Sequence, residues 1–242
     1  MYETLNYEEN GDIARVTLGR DRINMAMVRE LSAVCDHLED SSEAKVVVLQ
    51  GTGGRFSLGI DFAEFRPDQP MDIHGFNKWE KICARVERLP KAIIAIIDGE
   101  CHGGGAQLML VADAAIATKR ASIQFNEVHL GFLPGMATFR LAKTIGLGHA
   151  KRLIMQCPKV TADEALSLGL VSAVSDDTEA ALSATIDAFG PIHNVAVTLA
   201  RRLLNESFST DFENAIGNFL AAQHRAIHQT PFLETIRKHQ DE

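Results

Sequence analysis

The stretch from Ala92 to Gln107, AIIAIIDGECHGGGAQ, constrains the fold more than any other part of the sequence. Its first six residues, Ala92–Ile97, form a short, β-branched-rich apolar run, which predicts a strand buried on both faces. Asp98–Gly99 ends this strand, three glycines follow at 103–105, and Ala106–Ala112 predicts a compact apolar helix. A glycine turn that opens a helix exposes backbone N–H groups and directs the positive end of the helix dipole at a ligand. The stretch therefore predicts an anion cradle or half of an oxyanion hole, unless the glycines serve only close packing of the backbone.

The glycine pattern and the composition exclude several other classes of protein. The glycine turn has neither the G-x-G-x-x-G pattern of dinucleotide sites nor the Gly-Lys-Ser/Thr of a phosphate-binding loop. The chain of 242 residues is 46% hydrophobic, which is enough for one large domain or a domain with an appendage. A formal charge of −8 argues against nonspecific binding to nucleic acid.

The cysteines and the apolar runs predict where the protein works. Cys35, Cys83, Cys101 and Cys157 are far apart and form no C-x-x-C pair, so no zinc site is predicted. Together with the lack of a signal peptide, this usage predicts a reducing, cytoplasmic location. No apolar run reaches the roughly 18 residues that a membrane span needs, so no membrane contact is expected.

Hydrophobic periodicity predicts alternating strands and helices, followed by a mostly helical tail. The predicted strands are Asp12–Leu18, Val46–Leu49, Ala92–Ile97, Ala114–Ala117, Ser122–Phe125 and Val171–Val174. Besides the helix after the glycine turn, the predicted helices are Met25–Leu38, Ile73–Leu89, Thr138–Thr144, Gly148–Gln156, Ala162–Leu168, Thr178–Ala188, His193–Asn205, Asp211–His228 and Pro231–Gln240.

Two further features concern organisation. Arg55–Phe62 is a second glycine-bearing loop that follows a strand, as the first glycine turn does. The change to almost pure helix predicts a core domain over residues 1–177 and a helical region over 178–242. The apolar stripe of the tail, which includes Phe212, Ile216 and Phe219, must pack on the body or on another subunit.

Five ordered motifs carry a family resemblance. They are F-S-x-G-x-D at Phe56–Asp61, P-x-x-x-x-A-x-x-x-G starting at Pro90, H-G-G-G-A-Q at His102–Gln107, F-x-E-x-x-x-G-x-x-P-G at Phe125–Gly135 and A-x-x-x-G-L-V at Ala165–Val171. Over nearly its full length the chain resembles the crotonase superfamily, the enoyl-CoA hydratase/isomerase family. The resemblance implies an α/β fold, a ββα superhelix with perpendicular sheets and C-terminal helices that trimerise. It also implies a homotrimer or a hexamer made as a dimer of trimers.

The resemblance further implies the substrate and the oxyanion hole. Members bind an acyl thioester, usually of coenzyme A, and need no metal and no separate cofactor. Two backbone N–H groups hold the thioester carbonyl and stabilise an enolate; by motif matching they belong to Ile60 and Gly104. Fixed donors of this kind lower a barrier by about 3–4 kcal/mol each.

Gln107 and Glu127 bear most directly on the reaction. Hydratases of this family have one glutamate just after the glycine triplet, where this chain has Gln107, and a second in the following loop, where it keeps Glu127. Glutamine can orient a water molecule but cannot exchange a proton, whereas moving a proton within a substrate needs only one carboxylate. Apolar neighbours of Glu127 are expected to raise its pKa toward that of a general base.

The pattern therefore favours an enoyl-CoA isomerase-like enzyme in which Glu127 shuttles the proton. The alternatives are decarboxylation or carbon–carbon bond chemistry, as in carboxymethylproline synthase-like or β-diketone hydrolase-like members, and a noncatalytic assembly partner. Bulk at Met136 and Ala137, where hydratases often have small residues, also disfavours simple hydration.

The residues that would hold the thioester carrier are less clearly marked. Asp61, Arg22 and, from a neighbouring subunit, Lys238 are the candidates for binding coenzyme A. Ala63 stands where members often have a lysine near the nucleotide phosphates, so an acyl carrier protein or a free substrate stays open. His102 and His129 flank the two functional loops as proton donors or as structural residues.

Overall fold

The computed structural model describes residues 2–69, 73–190 and 195–240. The strands are β1 (Leu5–Asn10), β2 (Ile13–Leu18), β3 (Val46–Gln50), β4 (Arg55–Ser57), β5 (Ala92–Ile97), β6 (Glu100–His102), β7 (Ala114–Ala117), β8 (Ser122–Gln124), β9 (Val160–Thr161) and β10 (Ala173–Val174). The helices are α1 (Met25–Asp40), α2 (Ile73–Arg88), α3 (Gly104–Leu110), α4 (Ala137–Ile145), α5 (Leu147–Gln156), α6 (Ala162–Leu168), α7 (Thr178–Phe189), α8 (Val195–Glu206), α9 (Phe212–Ile227) and α10 (Thr230–Gln240). Short 3₁₀ helices cover Phe62–Glu64 and Glu127–Leu130.

The larger sheet has the strand order β1-β2-β3-β5-β7-β10. Its first pair is an antiparallel hairpin, and the remaining neighbours are parallel. Every residue of β5 is buried, as expected for a central parallel strand with both faces covered. The strands predicted at the positions of β2, β3, β5 and β7 are confirmed.

The smaller sheet has the strand order β4-β6-β8-β9, with β4, β6 and β8 parallel. Arg55–Ser57, predicted as part of a glycine-bearing loop, instead forms β4, and β6 lies between β5 and the glycine turn. Each has three residues, which is too short for a periodic pattern. Gly99 makes the turn from β5 into β6 at φ +71°, where an added β-carbon would lie 1.9 Å from the Gly54 carbonyl oxygen.

This smaller sheet positions the functional loops. Because β4, β6 and β8 are parallel neighbours, their carboxyl ends lie at the same edge. The loop Leu58–Asp61 leaves β4, the glycine turn leaves β6, and the segment Phe125–Glu127 leaves β8. Ligands commonly bind at the carboxyl ends of parallel strands for this reason.

The helices of the first part pack their predicted apolar faces inward. The Asn24 side chain caps α1 by accepting a hydrogen bond from the Met27 N–H at 2.9 Å. The buried residues of α2 are Trp79, Ile82, Cys83 and Val86. The spacing that predicted both helices is confirmed, and both join one continuous core.

The chain forms two compact units that divide between Ala188 and Phe189. The first unit contains all the strands above and α1–α7, apart from the last residue of α7. The division therefore lies one helix later than the boundary predicted near residue 177.

The second unit contains α8, α9 and α10. The start of the helix predicted from His193 lies outside the described residues. Large apolar side chains of this unit are exposed: Leu204, Phe208, Phe212, Ile216, Phe219, Leu220, Phe232, Leu233 and Ile236. Within the described ranges, no helix combines the length and the apolar character needed to cross a bilayer.

Candidate active site

A cavity of about 680 Å³ opens beside the carboxyl ends of β4, β6 and β8 in the first unit. Ile60, Gly104, Gln107 and Glu127, the predicted catalytic residues, all line it. We call these four, together with Gly59 and Gly103, the floor of the cavity. The structure thus brings together residues that lie up to 68 positions apart in the chain.

The amide of Ile60 is oriented by its neighbours in the loop. Ile60 forms a parallel bridge with Ile23, whose N–H donates to the Gly59 carbonyl at 2.9 Å and whose carbonyl accepts from the Asp61 N–H at 2.8 Å. In a parallel bridge of this form the residue in the middle directs its own N–H away from the partner strand. Among the described residues, the Ile60 N–H has no acceptor.

The glycine turn brings a second free amide to the same place. Gly103 has φ +52° and donates its N–H to the Gln124 carbonyl at 3.0 Å, which fixes the turn on the end of β8. Gly104 is the first residue of α3, where the N–H has no intrahelical partner. A β-carbon at Gly59 would lie 3.6 Å from the Gly104 nitrogen, so the two loops are in close contact.

Glu127 lies buried beside this turn, with 3% of its surface exposed. A β-carbon at Gly103 would lie 3.1 Å from Glu127 Oε1, so the carboxyl group packs directly against the glycine backbone. Its Oε2 has no hydrogen-bond partner in the described part of the chain. Burial raises the pKa of Glu127 above the ordinary range of a glutamate, in agreement with the expectation from its apolar neighbours.

Gln107 lies on α3 and is also buried, and its Oε1 is unpartnered among the described residues. A β-carbon at Gly135 would lie 3.0 Å from both Gln107 terminal atoms and 2.1 Å from Glu80 Oε1. Glu80 is therefore a second carboxylate next to Gln107. Both of its oxygens are engaged, since Oε1 accepts from the Met136 N–H at 2.9 Å and Oε2 lies 3.2 Å from the buried Arg140 guanidinium.

Unsatisfied buried polar atoms gather around this cavity. Within the described ranges, Trp79 Nε1, His102 Nε2, Gln107 Oε1 and Glu127 Oε2 are buried without a hydrogen-bond partner, and all four residues line it. Burial lowers the pKa of His102, so its neutral form is favoured. Because a buried polar atom without a partner is costly, such a group of atoms indicates a site that receives a polar ligand.

Four phenylalanines form what we call the aromatic rim of the cavity: Phe62, Phe65, Phe76 and Phe132. Their ring centroids are 5.8–6.4 Å apart in four tilted or edge-on pairs. The rim therefore joins the 3₁₀ helix after Asp61, the first turn of α2 and the segment after Gly131 into one apolar surface.

The predicted carrier-binding residues are not brought together. Arg22 lines the cavity and also a neighbouring depression, whereas Asp61 lines only the depression. The Asp61 carboxylate accepts from the Ala63 N–H at 3.0 Å and so caps the 3₁₀ helix, and its negative charge is unsuited to a phosphate. Lys238 lies on α10 of the second unit and is exposed.

The other candidates from the sequence lie as follows. His129 is exposed, and its Nε2 lies 3.2 Å from the Met155 carbonyl oxygen. It is not among the residues that line the cavity. Cys101 is fully buried, and burial strongly raises the pKa of its thiol, which suits a packing role. Across the described ranges, no three His, Cys, Asp or Glu side chains come together as a metal site.

Several lining residues were not predicted from the sequence. They are Arg29, Arg66, Lys78, Glu80, Trp79 and the aromatic rim. Trp79 and Phe76 share the apolar stripe of α2, which the periodicity assigns to the core. The exposed, positively charged Arg29, Arg66 and Lys78 carry no local motif, and only the fold brings them to one opening.

Comparison with known proteins gives the following similarities. The profile of the family described as "Enoyl-CoA hydratase/isomerase" matches residues 8–240. An enoyl-CoA-hydratase from Amycolatopsis orientalis is 33% identical over 90% of this chain and 97% of that relative. A mitochondrial Delta(3,5)-Delta(2,4)-dienoyl-CoA isomerase from Mus musculus is 34% identical over 68% of this chain and 55% of that relative. The crystal structure of an enoyl-CoA hydratase from Bacillus anthracis, 27% identical, superimposes with a TM-score of 0.87 over 99% of this chain and 96% of that one.

Proposed function

The chain belongs to the enoyl-CoA hydratase/isomerase family and is an enzyme of acyl-CoA thioesters, and we propose that it moves a double bond within an enoyl thioester, with Glu127 as the only proton shuttle. The observation that carries this proposal is the pair at the floor: the buried carboxyl group of Glu127, whose Oε2 has no partner among the described residues, and, where a hydratase of the family has its other acid, the amide of Gln107. Hydratase is nevertheless the more frequent name among the relatives.

We assign the oxyanion hole to the N–H groups of Ile60 and Gly104. Both amides lack an acceptor among the described residues, and their loops are in contact. Two fixed donors in a water-poor cavity stabilise an enolate oxygen more than a neutral carbonyl, and this difference lowers the barrier.

Glu127 would then act as base and acid in turn. As a carboxylate it removes a proton from C2 of a 3-enoyl thioester, and the electrons move into a dienolate whose oxygen is held by the two amides. The protonated Glu127 returns the same proton to C4, which yields the 2-enoyl thioester and regenerates the carboxylate. A pKa raised by burial suits a group that must both accept and give back a proton.

Glu80 does not supply the missing second acid in this proposal. Its carboxylate is engaged by the Met136 N–H and by Arg140, which also pairs with Glu87 at 3.2 Å. These contacts support a positioning role for Glu80, in which it holds α2, the Gly135 segment and α4 together. Glu127 is left as the carboxylate available for proton transfer.

One alternative reaction is favoured by Gln107. The amide nitrogen of Gln107, which lines the cavity, can donate a hydrogen bond to the free carboxylate of a malonyl-type thioester, whose decarboxylation or carbon–carbon bond formation also passes through an enolate. The same enolate chemistry covers β-diketone cleavage. A noncatalytic role is disfavoured, because a protein without chemistry gains nothing from a buried carboxyl group with an unpartnered oxygen.

A substrate panel tests the proposed reaction. The protein is offered 3-enoyl-CoA, 2-enoyl-CoA, malonyl-CoA and a β-diketone, and products are separated by mass spectrometry. The expected result is conversion of 3-enoyl-CoA to 2-enoyl-CoA as the fastest reaction. Rapid formation of 3-hydroxyacyl-CoA from 2-enoyl-CoA would contradict the single-acid assignment.

We propose coenzyme A as the carrier and a homotrimer, or a dimer of trimers, as the assembly. Arg22, Arg29, Arg66 and Lys78 line the cavity with positive charge suited to phosphates. The exposed apolar side chains of α8–α10 support burial against other subunits, and Lys238 stays a candidate contact from such a neighbour. Calorimetry with free coenzyme A and with acyl carrier protein distinguishes the carriers, and light scattering gives the subunit number.

A further inference from the structure

Trp79 carries a polar atom that the proposed reaction does not use. It lies on α2 with 5% of its surface exposed and lines the cavity. Its ring belongs to the apolar core, but its Nε1–H is buried and finds no acceptor among the described residues. A tryptophan N–H can only donate, so its partner must be an oxygen or another acceptor that enters the cavity.

The position of this N–H indicates which part of a bound ligand can accept its hydrogen bond. A β-carbon at Gly104 would lie 3.3 Å from Trp79 Nε1 and 2.9 Å from Ile23 Cδ1. The edge of the indole therefore packs against the residue whose own amide we assign to the oxyanion hole, and a side chain at position 104 would crowd it. On the other side of the turn, Glu127 Oε1 packs against Gly103.

The presence of tryptophan rather than phenylalanine at position 79 also needs an explanation. Phenylalanine would fill an apolar position in α2 without burying a donor, and the chain uses phenylalanine at all four positions of the aromatic rim. A donor kept where α2 meets Gly104 is explained if it is satisfied when the substrate is bound.

We propose that the indole N–H of Trp79 donates a hydrogen bond to the acyl oxygen of the bound thioester, as a third donor beside the amides of Ile60 and Gly104. This inference rests on the proposed function, because it needs a thioester carbonyl at the floor. Three donors around one oxygen favour its anionic form, so the contribution of Trp79 grows from the carbonyl to the enolate.

Trp79 is the only tryptophan of the chain, which allows a direct test. Protein labelled with ¹⁵N-tryptophan gives a single indole N–H signal, which is recorded in TROSY spectra of the full chain. The probes are octanoyl-CoA, which has no double bond to move, and its thioether analogue S-octyl-CoA, which lacks only the carbonyl oxygen.

The expected result is a downfield shift of the indole proton with octanoyl-CoA and a clearly smaller shift with S-octyl-CoA. Equal shifts, or no shift with octanoyl-CoA at a concentration that saturates binding in calorimetry, would overturn the inference. Failure of octanoyl-CoA to bind would overturn it together with the choice of substrate. A shift in a protein that turns over no enoyl thioester would support the inference and refute the proposed reaction.

A kinetic test measures the contribution of the same indole N–H group to the reaction. Because the tryptophan is unique, β-(3-benzothienyl)alanine supplied in its place replaces one N–H by sulfur and leaves the shape of the ring. The expected result is a fall in kcat of about tenfold or more with KM nearly unchanged. An unchanged kcat would contradict the inference. Trp79→Phe serves as the genetic counterpart, with its circular dichroism spectrum and melting temperature as the check on folding.

Discussion

The floor of the cavity differs from its aromatic rim in burial and in the kind of chemistry it offers. At the floor, Gly103, Gly104, Gln107 and Glu127 are buried, and free polar atoms face the cavity. At the rim, Phe62 is 50% exposed and the other three rings are half-buried. The floor thus offers fixed dipoles and one acid, whereas the rim offers four apolar rings that pack against one another.

This difference assigns separate tasks to the two regions. Stabilising a developing charge requires donors that do not need to reorganise, and the backbone of two tight turns supplies them. Selecting an acyl group requires apolar area that can adapt to its size, which exposed side chains supply. Changes at the floor should therefore act on kcat, and changes at the rim should act on KM.

The largest effect is expected from Glu127→Gln. The amide keeps the shape of the side chain but cannot accept a proton, so kcat for isomerisation of 3-enoyl-CoA should fall about 10²- to 10⁴-fold. Binding of octanoyl-CoA, measured by calorimetry, should change little. Glu64→Gln, at an exposed carboxylate that lines the same cavity, is the control and should keep its kcat. Retained activity in Glu127→Gln would refute the assigned base.

The next effect is expected from Gly103→Ala. At φ +52° an alanine is strained, and its β-carbon would lie 3.1 Å from Glu127 Oε1. We expect a loss of about 1–2 kcal/mol in the free energy of unfolding and a fall in kcat of about 10- to 100-fold. The control is Gly148→Ala in α5, where a β-carbon meets nothing within 4 Å. Equal kinetics of the two variants would show that the floor tolerates displacement of the carboxylate.

The sequence predicts that the residues of the floor come together, because they belong to motifs in which chemistry and backbone geometry coincide. Glycines at 59, 103 and 104 mark turns in which the backbone has a positive φ or other groups approach it closely. Glycine is the residue that suits both conditions, so its position in the sequence predicts them. The change from glutamate to Gln107 was equally visible. The long strands and helices were predicted for the same reason, since their apolar periodicity is local.

The rim and the short strands could not be predicted in that way. Phe76 and Trp79 lie at helical spacing with the core residues of α2, and nothing local shows that the first turn of this helix faces a cavity. β4 and β6 become strands only by pairing within the smaller sheet, β4 with β6 and β6 with β8. The contact of Glu80 with Met136 spans 56 positions and depends on the completed fold.

A smaller effect, on KM alone, is expected from Phe76→Ala. The ring contacts Phe65 and Phe132 at 6.0 and 6.4 Å, so its loss opens the rim and removes apolar surface from a long acyl chain. We expect KM to rise about 5- to 30-fold for a long-chain enoyl-CoA and to stay nearly constant for a four-carbon substrate. Phe139→Ala, at an exposed phenylalanine that does not line the cavity, is the control. A comparable fall in kcat for both chain lengths would contradict the division of tasks.

The smallest effect is a pH-dependent gain in stability in Glu127→Gln. Burial raises the pKa of Glu127 in the folded chain above its value of about 4.3 when unfolded, so the folded state binds more protons between the two values. The contribution of Glu127 to the free energy of unfolding of the wild type therefore falls as pH rises through this interval, and its loss is complete above the folded pKa. Glutamine does not titrate, so Glu127→Gln should be more stable than the wild type at pH 8 and equal to it below about pH 4 in urea unfolding. Phe76→Ala changes no titratable group, so its difference from the wild type should not depend on pH. If the difference in free energy of unfolding between Glu127→Gln and the wild type were also independent of pH, burial at the floor would not disfavour the ionised carboxylate. The floor would then not differ from the rim in this respect.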